Sequence, residues 1–106
     1  MIDLIIPYYN NIDGLKRTLS SIDYTVFRVT IIDDCSPTNF IYPPNVTVIY
    51  NEKNVGPGIG RQIGIENTKN PYLMFLDAGD ILLSKSTQRK LPLIIKEHFG
   101  TSEFVF

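Results

Sequence analysis

Cysteine is nearly absent from this chain: Cys35 is the single one in 106 residues. That excludes an internal disulfide and any cysteine-based zinc cluster, and it fits a reducing compartment. An excess of charge is also missing. Ten basic residues against eleven acidic ones leave a net charge of −1, so there is no electrostatic case for nucleic acid or an anionic membrane as the main partner. No apolar run approaches the roughly 18–20 residues of a membrane span. The N-terminus lacks the basic region and apolar core of a secretion signal. With no integral membrane segment, the expected location is cytoplasmic. Histidine is down to one, His98, and with no second His or Cys close by it is assigned no role. Repeats, low-complexity tracts and linkers are absent as well.

What remains is an ordinary globular composition, 43% apolar and 20% charged, enough for one domain over residues 1–106. Strand-like and helix-like segments alternate. Residues 2–6 form a β-rich apolar run that Pro7 should stop. Asn10 or Asn11 can cap a helix reaching about residue 22, with Leu15, Leu19 and Ile22 at helical spacing. Residues 29–32 read as a strand buried on both faces, and residues 46–50 as a third. Ile59, Ile63 and Ile65 suggest a helix over about 58–68. Residues 72–76 make a fourth strand. Residues 86–98 look helical, with Leu91, Ile94 and Ile95 inward and Pro92 awkward in the interior. Residues 103–106 begin a fifth strand. The expected fold class is α/β, a Rossmann-like, mostly parallel sheet with helices on both faces. A sheet that ends on so short a strand reads as cut, the N-terminal part of a larger catalytic domain.

The chemistry gathers at the ends of the strands, where open α/β sheets bind ligands. Tyr8 and Tyr9 follow the first strand, and a tyrosine there can stack on a planar base or simply cover the sheet edge. Asp33 and Asp34 end the second strand. Neighbouring strand residues point to opposite faces, so one of the two should reach a ligand, by accepting from a base N–H or a ribose hydroxyl. A tight turn would explain the same residues. Asn54-Val55-Gly56-Pro57-Gly58-Ile59-Gly60-Arg61 offers close backbone approach, a helix N-terminus and a cation for a diphosphate. Gly58, Gly60 and Gly64 also match a dinucleotide-binding pattern, with Asp77 at the following strand end. That pattern requires the glycines in the tight turn directly after a strand, and residues 51–55 intervene. A phospho-acceptor domain would want a lysine at a further strand end, and none stands in a clear position. Last come Asp77 and Asp80, bracketing Ala78-Gly79. Two carboxylates suit Mg²⁺ or Mn²⁺ that takes its other ligands from substrate phosphates, although Asp80 or Ser84 could also serve to cap the next helix.

These segments together resemble the start of a family 2 glycosyltransferase of the GT-A fold. The matching pieces, in order, are Ile5-Ile6-Pro7-Tyr8-Tyr9-Asn10, Leu19-Ser20-Ser21-Ile22 and Ile31-Ile32-Asp33-Asp34-Cys35-Ser36-Pro37. Then come Asn54-Val55-Gly56 with Gly60-Arg61-Gln62-Ile63-Gly64, and Tyr72-Leu73-Met74-Phe75-Leu76-Asp77-Ala78-Gly79-Asp80. Each is short, but five in the family's order and spacing are specific and span nearly the whole chain. The resemblance implies that this part binds a nucleotide-diphosphate sugar, with uracil the expected base. Tyr9 would lie against the base and Asp34, less readily Asp33, would bond it. Arg61 would lie near the nucleotide or its phosphates, and Asp77 would hold the ribose side. Pro7, Asn10, Asn54 and Gly56 fall within the matching motifs and are carried over as nucleotide-binding positions. Asp77 and Asp80 would carry Mg²⁺ or Mn²⁺. The family's commonest acidic motif reads Asp-x-Asp-Asp, and the middle acid usually credited with metal ligation is Gly79 here. At Gln62 the family more often has Asn. The general base and the acceptor-binding half lie further along in enzymes of this type, so the segment is expected to bind donor and to transfer sugar poorly, if at all. The implied reaction is inverting transfer to an unknown acceptor. Two alternatives stay open, a non-catalytic nucleotide-binding module and an NAD(P)-binding oxidoreductase domain.

Overall fold

The computed structural model of the chain describes residues 1–37, 40–68, 70–99 and 104–105. Among the described residues, five strands and three helices follow in the order β1 (Ile2–Tyr8), α1 (Ile12–Ser20), β2 (Phe27–Asp33), β3 (Val46–Tyr50), α2 (Pro57–Glu66), β4 (Tyr72–Phe75), α3 (Lys85–Phe99) and β5 (Phe104–Val105), with β2 leading to β3 without a helix. All strand pairs are parallel and the spatial order is β3-β2-β1-β4-β5. The order reverses between β1 and β4, which makes that point the switch where a crevice opens at the strands' C-terminal ends.

Alternation along the central strands sorts the helices onto two faces. Leu4, Ile6, Val29 and Ile31 are buried with Leu15, Leu19 and Ile22 from the α1 region and Ile95 of α3 in one cluster. Ile5, Pro7 and Ile32 face α2. A methyl group at Gly60 would lie 3.6 Å from Pro7 and one at Gly64 would lie 2.3 Å from Ile5 Cγ2. Asn11 caps α1 by accepting from the Gly14 N–H at 3.1 Å, and Ser84 caps α3 by accepting from the Thr87 N–H at 3.2 Å.

Several boundaries differ from the sequence reading, each for a physical reason. β1 runs through Pro7 to Tyr8 rather than stopping at Ile6. Its register with β2 continues to Tyr8↔Asp33, whereas its pairing with β4 ends at Ile5↔Phe75. The Ile5 carbonyl faces β4, accepting from the Leu76 N–H at 3.0 Å. Pro7 faces the same side, two residues on, so its missing N–H falls on the β4 side and costs nothing toward β2. In α2, Ile59 and Ile65 are exposed at 55% and 39% while Gly60 and Gly64 are buried. The isoleucines marked the helix correctly, but glycine makes its contact face. In α3, Ile95 is buried and Ile94 is turned out at 42% exposure, because adjacent helical positions diverge by about 100°. The helix passes through Pro92, which is exposed. Glu103 and Phe106, read as parts of the last strand, lie outside the described residues.

Candidate functional site

Because β1 and β4 separate beyond Ile5, a cleft opens between the end of β1, the end of β2 and the first turn of α2. It holds ≈ 160 Å³ and is lined by Pro7, Tyr8, Tyr9, Ile32, Asp34, Gly56, Pro57, Gly60 and Asp77. Five sequence-predicted positions therefore meet in one place: Pro7, Tyr9, Asp34, Gly56 and Asp77. Arg61 joins their rim through an ion pair with Asp77, Nη2 to Oδ1 at 3.3 Å. Both side chains are largely exposed, at 40% and 63%, so the pair is worth only about 0–1 kcal/mol and yields readily to a ligand. Tyr9 is 51% exposed beside the cleft, a free aromatic face, whereas Tyr8 is buried.

Asp34 is the best-connected residue of the site. Its Oδ1 accepts from the Val55 N–H at 2.8 Å and the Asn51 side-chain amide at 3.0 Å, and its Oδ2 accepts from the Gly56 N–H at 2.8 Å. Gly56 is the N-cap of α2, at φ +86 and without a side-chain cap of its own, so Asp34 supplies the cap from across the cleft. Burial pushes the Asp34 carboxyl upward, but the bonds from Val55, Asn51 and Gly56 outweigh it and hold the group below its ordinary range. A carboxylate has about four acceptor positions; three are taken, which leaves one for a ligand.

Asp33 points the other way. It accepts from the Ser36 N–H at 2.9 Å and the Tyr42 hydroxyl at 2.6 Å and lines a separate cleft of ≈ 510 Å³ with Tyr42 and Tyr50. Burial first, and then the bond to Asp33, raise the Tyr42 phenol far above its ordinary range. Asn10 and Asn54 are exposed and outside the lining of the cleft at Asp34. Asn10 takes φ +44 and donates its backbone N–H to Ser36 Oγ at 2.9 Å, a role in loop shape. Sequence reading gave Asn51 no role in the site and took Pro57 only as part of the segment 54–61. Asn51 had a signal in its place directly after β3, level with the acidic end of β2.

Asp77 and Asp80 bound one tight turn. The Asp80 N–H donates to the Asp77 carbonyl at 3.0 Å, and Gly79 takes φ +105, the positive φ a type II turn needs at its third position. Both carboxylates are exposed. Among the described residues no group of three or more His, Cys, Asp or Glu is placed to hold a metal ion. Two hard oxygen donors in one turn nevertheless suit Mg²⁺ or Mn²⁺, which complete their shells with phosphate oxygens and water. A dinucleotide-binding turn is not formed. Gly58, Gly60 and Gly64 all lie inside α2, and residues 51–56 separate it from β3.

Against known proteins, a family model described as "Glycosyl transferase family 2" matches residues 3–100. The chain belongs to this family. An uncharacterized glycosyltransferase of Haemophilus influenzae is 33% identical over 101 residues, covering 89% of this chain and 34% of that protein. The poly(ribitol-phosphate) beta-N-acetylglucosaminyltransferase TarS of Staphylococcus aureus is 29% identical over 108 residues, 90% of this chain and 19% of that protein. The crystal structure of TarS 1-349 in complex with UDP-GlcNAc superimposes with a TM-score of 0.77 at 26% identity, covering 92% of this chain and 31% of that one. The fold is thus the GT-A arrangement of a glycosyltransferase, and the chain spans about a third or less of the length of these relatives. No helix among the described residues is long and apolar enough to cross a membrane.

Proposed function

We propose that this family 2 glycosyltransferase chain binds the nucleoside-diphosphate part of a nucleotide sugar, with UDP as the expected nucleotide, in the cleft between β1, β2 and α2. The observation that carries the reading is the convergence of Tyr9, Asp34, Asp77 and the Asp77-paired Arg61 on one cleft at the topological switch point. The TarS structures with UDP-GlcNAc and with UDP support it by likeness. Tyr9 offers its ring face to the base. Asp34 uses its remaining acceptor position for a base N–H, and three bonds already hold the carboxylate in place. Asp77 accepts from ribose hydroxyls, and Arg61 turns from Asp77 toward the phosphates. Asp77 and Asp80 would hold a divalent cation, which when bound would supply charge stabilisation for a departing diphosphate.

The reaction that follows is displacement at the anomeric carbon with inversion, the acceptor hydroxyl losing its proton to a base. Such a base contributes ~10²–10⁴-fold. The carboxylates of the cleft and its rim are already assigned: Asp34 to the 51–56 loop and the base, Asp77 to the ribose side and the cation, Asp80 to the cation. Donor binding with little or no transfer is therefore the activity expected of the chain itself. One specific feature favours a second reading, a nucleotide-binding module without catalysis: Gly79 stands where the family's metal-ligating acid is commonest.

Titration with UDP, GDP, TDP and NAD, each with Mn²⁺ and again with EDTA, tests the reading. Metal-strengthened binding of one nucleoside diphosphate is the expected result. Binding of none overturns it, and metal-independent binding of NAD alone replaces it with the oxidoreductase reading.

A further inference from the structure

The acidic turn is not held in place by its own sheet strand. Beyond Phe75 the chain leaves β4; Leu76 still donates to the Ile5 carbonyl of β1 at 3.0 Å and Asp77 pairs with Arg61 of α2, but from Gly79 onward the bonds run to α1, on the opposite face from α2. Thr18, fully buried in α1 at 0% exposure, bridges the turn with one hydroxyl. Its Oγ1 accepts from the Gly79 N–H at 2.9 Å and donates to the Asp80 carbonyl at 2.6 Å. One turn on, Ser21 Oγ accepts from the Leu82 N–H at 3.1 Å and donates to the Thr18 carbonyl at 2.7 Å. Gln88, also buried, closes the row by donating to the Ser21 carbonyl at 2.7 Å and to the Leu83 carbonyl at 2.6 Å.

From these bonds we infer that Thr18 is a positioning residue for the cation-binding turn, tying together the two peptides that flank the Gly79–Asp80 link, through the Gly79 N–H on one side and the Asp80 carbonyl on the other, and thereby fixing the direction in which the Asp80 carboxylate leaves the backbone. This rests on the proposed role of Asp77 and Asp80 at a divalent cation and deepens it. A threonine hydroxyl has one proton and two acceptor sites, and here the proton goes to the Asp80 carbonyl and one acceptor site to the Gly79 N–H, the peptides on either side of the Gly79–Asp80 link. Both bonds hold only while the backbone of Gly79 and Asp80 keeps this conformation. The side chain is too deep to touch a nucleotide itself, since it lies beneath the turn and outside the lining of the cleft. Its influence therefore passes through Asp80. Because Asp34 and Tyr9 stand on other elements, the base-binding end of the cleft should not depend on it.

The test is UDP binding to the whole chain, in Mn²⁺ and in EDTA, for the wild type, Thr18→Val and Thr18→Ser. Thr18→Val keeps the shape and removes the hydroxyl; Thr18→Ser keeps the hydroxyl. The expected result is that Thr18→Val loses roughly tenfold of the Mn²⁺-dependent gain in affinity, the scale of a buried hydrogen-bonding pair left unmet. Its affinity in EDTA should match the wild type, and Thr18→Ser should retain the gain. Amide exchange at Gly79 supplies the second reading, with faster exchange in Thr18→Val and wild-type protection in Thr18→Ser. If Thr18→Val fails to fold, Thr18→Ala, which leaves room for a water, takes its place in both measurements. An unchanged Mn²⁺ gain in the hydroxyl-free variant overturns the inference while leaving the cation reading standing. Equal losses with and without metal also overturn it, because they mark a general structural role. A wild type with no Mn²⁺ gain overturns the cation reading and the inference with it.

Discussion

Asp34→Asn is the substitution that separates the scaffold of this cleft from its chemistry. Asparagine keeps the size of the side chain and one carbonyl oxygen, but turns the other oxygen into an NH₂ donor. Whichever way the amide is placed, a donor meets donors. With the NH₂ at Oδ2 it faces the Gly56 N–H, and with the NH₂ at Oδ1 it faces the Val55 N–H and the Asn51 amide. The better placement keeps two bonds, now to a neutral acceptor, and leaves the N-cap of α2 unmet. Hydrogen bonds to a charged group are worth ~1.5–3 kcal/mol and neutral ones about half that, so losing one and halving the other two gives a net loss of about 3–6 kcal/mol from the bonds alone. Loss of a negative charge at a helix N-terminus adds about 0.3–1 kcal/mol. Urea unfolding at neutral pH measures the sum. The acid dependence supplies a second measurement. Asp34 has a folded-state pKa held below its ordinary 3.8, so its contribution is fully present above that value and is lost as pH falls through the lower, folded one. Wild-type stability should drop across that window below 3.8, and part of that slope should vanish in Asp34→Asn. A variant as stable as the wild type at neutral pH, with the same acid slope, would refute the anchoring role of Asp34.

Gly64→Ala should destabilise, because its methyl would lie 2.3 Å from Ile5 Cγ2. Overpacking of about 1–3 kcal/mol exceeds the helix-propensity gain of ~1 kcal/mol, and a raised melting temperature would contradict it. Arg61→Ala should leave stability within about 0.5 kcal/mol, since the ion pair with Asp77 is exposed, yet weaken UDP binding; equal affinity in the variant would remove Arg61 from the site. Gly79→Asp, which restores the family's commoner acid, should lower stability by roughly 1–3 kcal/mol because φ +105 disfavours any L side chain. Unfolding curves that coincide with the wild type would show that the turn can relax without cost.

The strand ends were legible because their chemistry is written in adjacent residues. Apolar runs closing on Asp33-Asp34 and on Asp77 placed acids at the C-terminal edge of a parallel sheet, and that is where they lie. The division of labour between Asp33 and Asp34 also follows from strand alternation, a local rule. What could not be read is long-range. Nothing near Asp34 in sequence announces that Val55, Gly56 and Asn51 would occupy most of its acceptor positions from 17 to 22 residues away. Ile94 and Ile95 are equally apolar, and only the packing of α3 decides which turns inward. Pro7 misled for a related reason. As a strand-breaker it is judged by the bond it cannot make, but the cost depends on whether a neighbour waits on that side. β4 has already ended its pairing there, so the same missing N–H that should end the strand instead lies at the edge of the crevice.

Charge balance gives the cation its physical role in the proposed site. The cleft and its rim carry Asp34, Asp77 and Asp80, while the cation paired with that rim is Arg61, already neutralised by Asp77 at 3.3 Å. A nucleoside diphosphate brings further negative charge to the same end. Two unit charges 4 Å apart repel by about 4 kcal/mol at an effective dielectric near a protein surface, more than one exposed guanidinium offsets. A divalent cation held by Asp77 and Asp80 would reverse the sign of that interaction. The base and ribose end, with Tyr9 and the already anchored Asp34, has no such deficit. Uridine should therefore bind weakly and equally in Mn²⁺ and EDTA, while UDP should gain affinity in Mn²⁺ and lose it on chelation. Salt should weaken UDP binding in EDTA less than expected for an ion-paired ligand, since little net attraction is there to screen. UDP that binds as tightly in EDTA as in Mn²⁺ would refute the charge argument and require a positive group at the phosphates other than Arg61.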